Sequence, residues 1–270
     1  MPILSLAALT ILDAGPAGQI RAAATGGFDC VGLRLNPLLA TDEAVVGNIA
    51  KQREIESLLR DNGMKVLEIG VFPIRPDTSI DLIAPIMAFS HKIGAQFLVC
   101  PVEDPDPVRR AETYARICEL AESCALTGLI EFNPYSACPN LDAALAMLGD
   151  SRVENGGLVI DALHLSRSGG SPADLAKVDP ALLPMTHFCD APPPPTGQRS
   201  VDELRAESRT ARLLPGEGSL WLNELLDALP KDAAISVEAP SAKYAHLPAS
   251  ERARLAYHAT KSVLAKRAAH

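Results

Sequence analysis

The stretch "LVIDALHL", residues 158–165, sets three apolar residues, Leu158, Val159 and Ile160, directly against Asp161, with His164 three positions on. A short apolar run of this kind reads as a strand buried in a sheet. A buried strand gains nothing from ending in an acid and an imidazole. Either this is ordinary loop chemistry at a strand end, or it belongs to a site.

Working outward, the same kind of run recurs along the chain. "ILSLAAL" (3–9), "CVGLRL" (30–35), "KVLEIGVF" (65–72), "AQFLVCPV" (95–102), "GLIEF" (128–132), "GLVID" (157–161), "PMTHFC" (184–189) and "AISVEA" (234–239) all read as strands. Helical patterns lie between them. Residues 43–63 repeat apolar positions three and four apart and stop at Gly63, a suitable C-cap. Residues 105–128 open on proline and run to Gly128. Residues 219–230 and 249–269 show the same periodicity.

Strands alternating with helices imply a parallel sheet, and eight repeats imply a closed (β/α)8 barrel of the TIM type. No GxGxxG follows the first strand, which weighs against a dinucleotide fold. The 270 residues suit one such barrel, and no composition shift marks a linker, so residues 1–270 read as a single domain. One connection is anomalous. Residues 190–218 ("DAPPPPTGQRSVDELRAESRTARLLPGEG") form a long loop after the seventh strand, where ~2–6 residues is usual. Its prolines stiffen it. Pro192 and Pro195 match a PxxP spacing, read here as a rigid connector rather than a recognition ligand.

Hydrophobic residues make up 47% of the chain and aromatics only 4%, so the core should be Leu, Ile, Val and Ala. The net charge of −8 argues against nucleic acid and anionic lipid as partners. No apolar stretch approaches the ~18 residues needed to span a bilayer, and "MPILSLAALT" lacks the basic start of a signal peptide. The six cysteines contain no CxxC pair and sit among apolar neighbours, as reduced thiols do in a cytoplasmic protein.

In such a barrel the C-terminal strand ends converge on one face, where chemistry is done. The fifth strand ends in Glu131, the sixth in Asp161, the seventh in His187 with Asp190 just beyond, and the eighth in Glu238. One acid after a strand is commonly a helix cap. Four metal-competent side chains at one height are hard to explain as capping. Burying three carboxylates together is costly without a cation. The oxygen-rich set suits one divalent ion, Mn²⁺ ahead of Mg²⁺ and Co²⁺, with Zn²⁺ also compatible.

"GLIEF", "VIDALHLSRSGG", "THFCDAP", "RLLPGEG" and "SVEAPS" together resemble the xylose-isomerase-like TIM barrels over nearly the whole chain. That superfamily includes sugar isomerases, sugar epimerases, inosose dehydratases and, more distantly, endonuclease IV. The resemblance implies that Glu131, Asp161, His187 and Glu238 bind the metal, that Glu131 and Glu238 also serve as acid and base, and that His164 faces the substrate. It further implies a small sugar-like substrate and a homo-oligomer. The expected chemistry is metal stabilisation of an enediolate while one glutamate removes a proton and the other returns it. Return to the same carbon epimerises; return to the neighbouring carbon isomerises. Loss of a β-hydroxyl gives a dehydratase of the inosose or dehydroshikimate kind, the competing activity. A sugar-binding barrel without turnover would not need both acids. Endonuclease IV relatives use three zinc ions and many histidines, whereas this chain has six histidines and only His164 and His187 at strand ends.

Around this set, Arg34, Arg167 and Arg209 are candidates to hold the substrate and Asp190 to support the metal site. Each has an ordinary reading beside it. Arg34 suits a salt bridge, Arg167 an exposed loop, and Arg199, Arg205, Arg209 and Arg212 as a group a solvated face. Arg209 or Arg212 could instead close over a carboxylate or phosphate. Glu68 sits inside the third strand, either in the barrel interior or at its bottom face.

Overall fold

The computed structural model describes residues 2–194 and 197–268; Pro195 of the PxxP spacing lies outside the described residues. Eight parallel strands, β1 (Leu4–Leu6), β2 (Cys30–Arg34), β3 (Lys65–Gly70), β4 (Phe97–Pro101), β5 (Thr127–Glu131), β6 (Gly156–Asp161), β7 (Met185–Phe188) and β8 (Ala234–Val237), form a closed barrel in chain order. β8 returns to β1 with Leu4 opposite Ile235 and Leu6 opposite Val237. Thr10 fastens that closure. Its Oγ1 donates to the Val237 carbonyl at 2.8 Å and accepts from the Ala239 N–H at 2.9 Å.

Two apolar layers follow from the strand pattern. Inward-facing Leu67, Val99, Leu129, Val159 and Met185 fill the barrel below its C-terminal rim. Outward-facing residues such as Val66, Leu98, Ile130 and Ile160 pack under the helices. The helices are α1 (Gly15–Gly26), α2 (Ile49–Asp61), α3 (Ile80–Lys92), α4 (Pro107–Ser123), α5 (Leu141–Ser151), α6 (Ala162–Arg167), α7 (Val201–Thr210), α8 (Leu222–Ala228) and α9 (Ala249–Ala268). No helix of the described residues is long and apolar enough to cross a membrane.

Local chemistry sets the ends. Asn48 caps α2 by accepting from the Lys51 N–H, so the helix begins later than the periodicity from residue 43 suggests. Gly63 follows its end with φ +64, as the sequence predicts for a glycine there. α4 stops at Ser123 rather than running to Gly128, which lies within β5. The first strand is also shorter than 3–9, because residues 8–14 coil into 3-10 turns.

The long connection is the largest correction. Residues 201–210 are helical, not loop. Ser200 and Glu203 form a reciprocal capping box, and the S-x-x-E spacing in "SVDE" is the signal that reveals it. α1, α3, α5 and α6 also go unmarked by the sequence patterns; α1 is rich in Gly and Ala, and α3 carries Pro85 inside it.

β3 departs from simple alternation. Val31 pairs with Val66 but Gly32 pairs with Glu68, so β3 holds one extra residue at Leu67. The bulge lets Leu67 join the inner apolar layer while Glu68 also turns inward.

Candidate active site

The strand register carries four acid and imidazole side chains to the rim. Pro101 stands opposite Glu131, and Asp161 opposite His187. The Glu238 N–H donates to the Phe188 carbonyl, extending the β7–β8 pairing by a residue. One ligand atom from each of Glu131, Asp161, His187 and Glu238 lies within 4.8 Å of all the others.

His187 sits at the centre. Its Nδ1 is 3.1 Å from Glu131 Oε1 and 3.6 Å from Glu238 Oε2. Its Nε2 is 2.8 Å from Glu68 Oε2. Glu68 in turn accepts from the Ser236 hydroxyl at 2.6 Å and is only 3% exposed. Of the two positions the sequence allows for Glu68, the barrel interior is the one observed. Its partner explains why the position matters. A ring N–H held by a carboxylate fixes the imidazole's orientation and leaves the other nitrogen to face the cluster.

Glu68 has room because β2 has a glycine there. A Cβ at Gly32 would lie 2.7 Å from Glu68 Oε1 and 3.2 Å from the Ala7 Cα. Gly32→Ala is therefore expected to displace Glu68 and lower stability by about 1–3 kcal/mol, read as a lower thermal midpoint. An unchanged midpoint would show that the bulge absorbs the methyl group.

Arg212 closes the cluster from the other side. It is 1% exposed, with Nη1 2.5 Å from Asp161 Oδ2 and Nη2 3.0 Å from Glu238 Oε2. The expectation that it belongs to a solvated face is wrong. A short antiparallel bridge between Asp190 and Leu213 draws the segment into the barrel mouth, and Arg212 Nε donates to the Ser208 carbonyl at 2.8 Å. Asp190 acts on this segment rather than on the cluster. Its carboxylate accepts N–H groups of Ala191, Gly216 and Leu220 at 2.8–3.0 Å, which holds the turn after Arg212.

Asp161 does two jobs. As the cap of α6, its Oδ1 accepts the His164 N–H at 2.9 Å, while Oδ2 faces Arg212. This places His164 beside the four-residue cluster and not in it. The His164 ring is buried, edge-on to Tyr135 at 5.6 Å, with Nε2 3.5 Å from Arg212 Nη2.

Electrostatics divide these groups. Burial opposes charge on Asp161, yet Arg212 and the two imidazoles hold its carboxyl well below the usual range. Burial also opposes charge on His187, but Glu238, Glu68 and Glu131 outweigh it and raise the imidazole well above normal. Glu131 is held low by its bond to His187 in spite of burial. Glu238 is pushed up to about 7, chiefly by burial, with Glu131 and Asp161 adding to the rise. Burial keeps His164 below its ordinary value. Four carboxyl groups thus share two cations, Arg212 and His187. That imbalance, with oxygen donors dominating, fits a divalent ion held by Glu131, Asp161, Glu238 and, once the ion displaces its proton, His187 Nδ1.

The cluster opens into a cavity of about 700 Å³ lined by Arg34, Glu131, Tyr135, His164, Arg209 and Glu238 among others. That volume suits a small ligand. Arg34 does form a salt bridge, to Asp42 at 3.6 Å, and also lines the cavity. Arg209 stands at the cavity edge, exposed. Arg167 is neither exposed nor on the cavity wall. Its guanidinium is buried against Glu207 at 2.7 Å and donates to the Pro192 carbonyl, tying α7 to α6.

Comparison with known proteins agrees with this architecture. Among solved structures, the IolI protein with a bound zinc atom superposes with a TM-score of 0.80 at 19% identity, over 98% of this chain and 99% of that one. A probable 3-DHS dehydratase, AsbF from Bacillus anthracis, gives 0.70 at 17%, over 97% and 99%. A D-allulose 3-epimerase from Methylomonas sp. gives 0.70 at 17%, over 97% of each chain. No curated protein matches the sequence. The family model described as the xylose isomerase-like TIM barrel matches residues 20–262, and the chain belongs to that family.

Proposed function

We propose that the protein is a divalent-metal-dependent isomerase or epimerase of a small sugar or other polyhydroxylated carbonyl compound. The observation that carries this reading is the pair Glu131 and Glu238, brought by the ends of β5 and β8 to within 3.1 and 3.6 Å of His187 Nδ1 on the cavity wall. Both carboxyl groups also belong to the cluster whose charge and donor set suit a divalent ion, Mn²⁺ first. Such an ion, when bound, supplies Lewis acidity at a carbonyl oxygen and makes the neighbouring C–H acidic.

The chain's own groups supply the rest. Glu131 and Glu238 take up and return the proton from two sides of the substrate. His164, on the cavity wall outside the cluster, meets a substrate hydroxyl. Glu68 and Arg212 hold His187, Asp161 and Glu238 in place.

Incubation with Mn²⁺ and candidate ketoses in D₂O tests the reading. Deuterium at the α-carbon without loss of water supports it. The growth of an enone absorbance replaces it with a dehydratase, since the same proton abstraction serves both. Ligand binding with neither outcome rules out catalysis on that compound class. The structural part is tested separately. Glu68→Gln should weaken Mn²⁺ binding by about 10–100-fold, measured by chelator competition, because His187 loses its carboxylate partner. Unchanged affinity would remove Glu68 from the site.

A further inference from the structure

The 700 Å³ cavity does not end at the arginines on its rim. Arg34 and Arg209 also line a second cavity of about 790 Å³, bounded by Asp13, Gln19, Asp42 and Arg252. The two cavities share these two arginines together with Leu9 and Leu12. The polar groups there are unequally matched. Asp13 is paired with Arg252 at 2.6 Å, and Glu43 with Lys51 at 2.8 Å. Asp42 faces Arg34 and accepts the N–H groups of Leu38 and Leu39. The acids are therefore satisfied.

The cations are not. The Arg209 side chain makes no hydrogen bond or ion pair with any of the described residues. Among the described residues Arg34 pairs with Asp42 alone, at a long 3.6 Å, and its Nε is buried without a partner. Burial works against the charge on Arg34, Asp42, Glu238 and Glu131 favour it, and the neighbouring Arg209 opposes it. Gln19, fully buried on the wall of the second cavity, leaves both amide atoms unpartnered. All this occurs in a chain of net charge −8, where a cationic spot is not a by-product of a basic surface. Two neighbouring guanidinium groups repel each other, a bound anion relieves that repulsion, and their planar donor forks match carboxylate and phosphate oxygens.

We propose that the substrate carries an anionic group, a carboxylate or a phosphate, held between Arg34 and Arg209 where the two cavities join. This rests on the function proposed above and narrows it. A group anchored there leaves the remainder of a short polyol in the cavity that Glu131, His164 and Glu238 line. A neutral sugar offers these donors hydroxyl oxygens but no charge to balance Arg209, which has no acid partner among the described residues.

The test uses the full chain with saturating Mn²⁺ and three probes sharing one carbon skeleton: glycerol, D-glycerate and sn-glycerol 3-phosphate. Calorimetric titration should show at least one of the two anions binding about tenfold or more tighter than glycerol. Arg209→Gln and Arg34→Gln should each weaken that anion by about five- to tenfold while leaving glycerol unchanged. Arg209 is exposed, so its replacement keeps the fold. Whichever anion responds to the arginines identifies the group as carboxylate or phosphate. Equal affinity for all three probes overturns the proposal. So does anion binding that ignores both substitutions, as an anion attracted only by the metal would. Mn²⁺ uptake measured in the same samples separates the two levels. Bound metal with no arginine-dependent anion preference defeats the anion site alone, whereas absent metal binding defeats the function beneath it.

Discussion

Arg212→Gln should destabilise the metal-free protein by about 3–5 kcal/mol, the usual scale for removing one partner of a buried ion pair. Arg212 and Asp161 are each 1% exposed, so water cannot screen what the substitution leaves behind. Two carboxyl groups, Asp161 and Glu238, lose their guanidinium together. The neutral amide cannot reach both and brings no charge. Asp161 would then titrate at a higher pH, since Arg212 is the largest influence lowering it. Divalent metal should recover part of the loss, because a second cation in the cluster replaces some of the missing charge. Thermal denaturation with and without Mn²⁺ reads both effects. A midpoint equal to wild type in the absence of metal would mean that Arg212 contributes nothing to holding the acids.

Glu131→Gln and Glu238→Gln are expected to reduce kcat by about 10²–10⁴-fold each, the range for losing a positioned proton-transfer group. Glutamine keeps the shape and an oxygen donor but cannot exchange a proton at the reacting carbon. Substrate affinity, measured at saturating metal, should change little. Deuterium exchange at the α-carbon discriminates further. The variant that loses the base should also lose exchange, while the other should retain exchange in one half-reaction. Wild-type turnover in both variants would end the assignment of these residues as acid and base.

Much of the barrel is legible in the chain because each strand carries its own apolar signature, and the four acid and imidazole residues end consecutive strands. Asp161 after Leu158–Ile160 is the clearest case: the same residue closes β6, caps α6 and faces the cluster. Glu68 is ambiguous in the sequence for a physical reason. Alternation predicts that Leu67 and Glu68 face opposite ways, and only the extra residue in β3 turns both inward. The burial of Arg212 is not legible in the sequence because it depends on distant partners, Asp161 and Glu238, and on a bridge from Asp190 to Leu213. Neither partner is near in sequence. Arg167 illustrates the reverse. A loop arginine is exposed by default, but α7 brings Glu207 to it, and α7 itself was hidden in a stretch read as loop.

The Thr10 latch has a consequence for the order in which the molecule is made. β1 is made before the other seven strands, yet one of its edges has no partner until β8 follows more than two hundred residues later. Contacts that span such a separation form slowly, since a long segment must be confined before they stabilise anything. During synthesis that edge of β1 therefore lacks its native partner for the whole period in which β2 to β7 accumulate. Glu238 follows β8 by one residue, so the same late event that seals the barrel also delivers the last acid of the cluster. Coordination of the proposed metal by all four residues would then require closure.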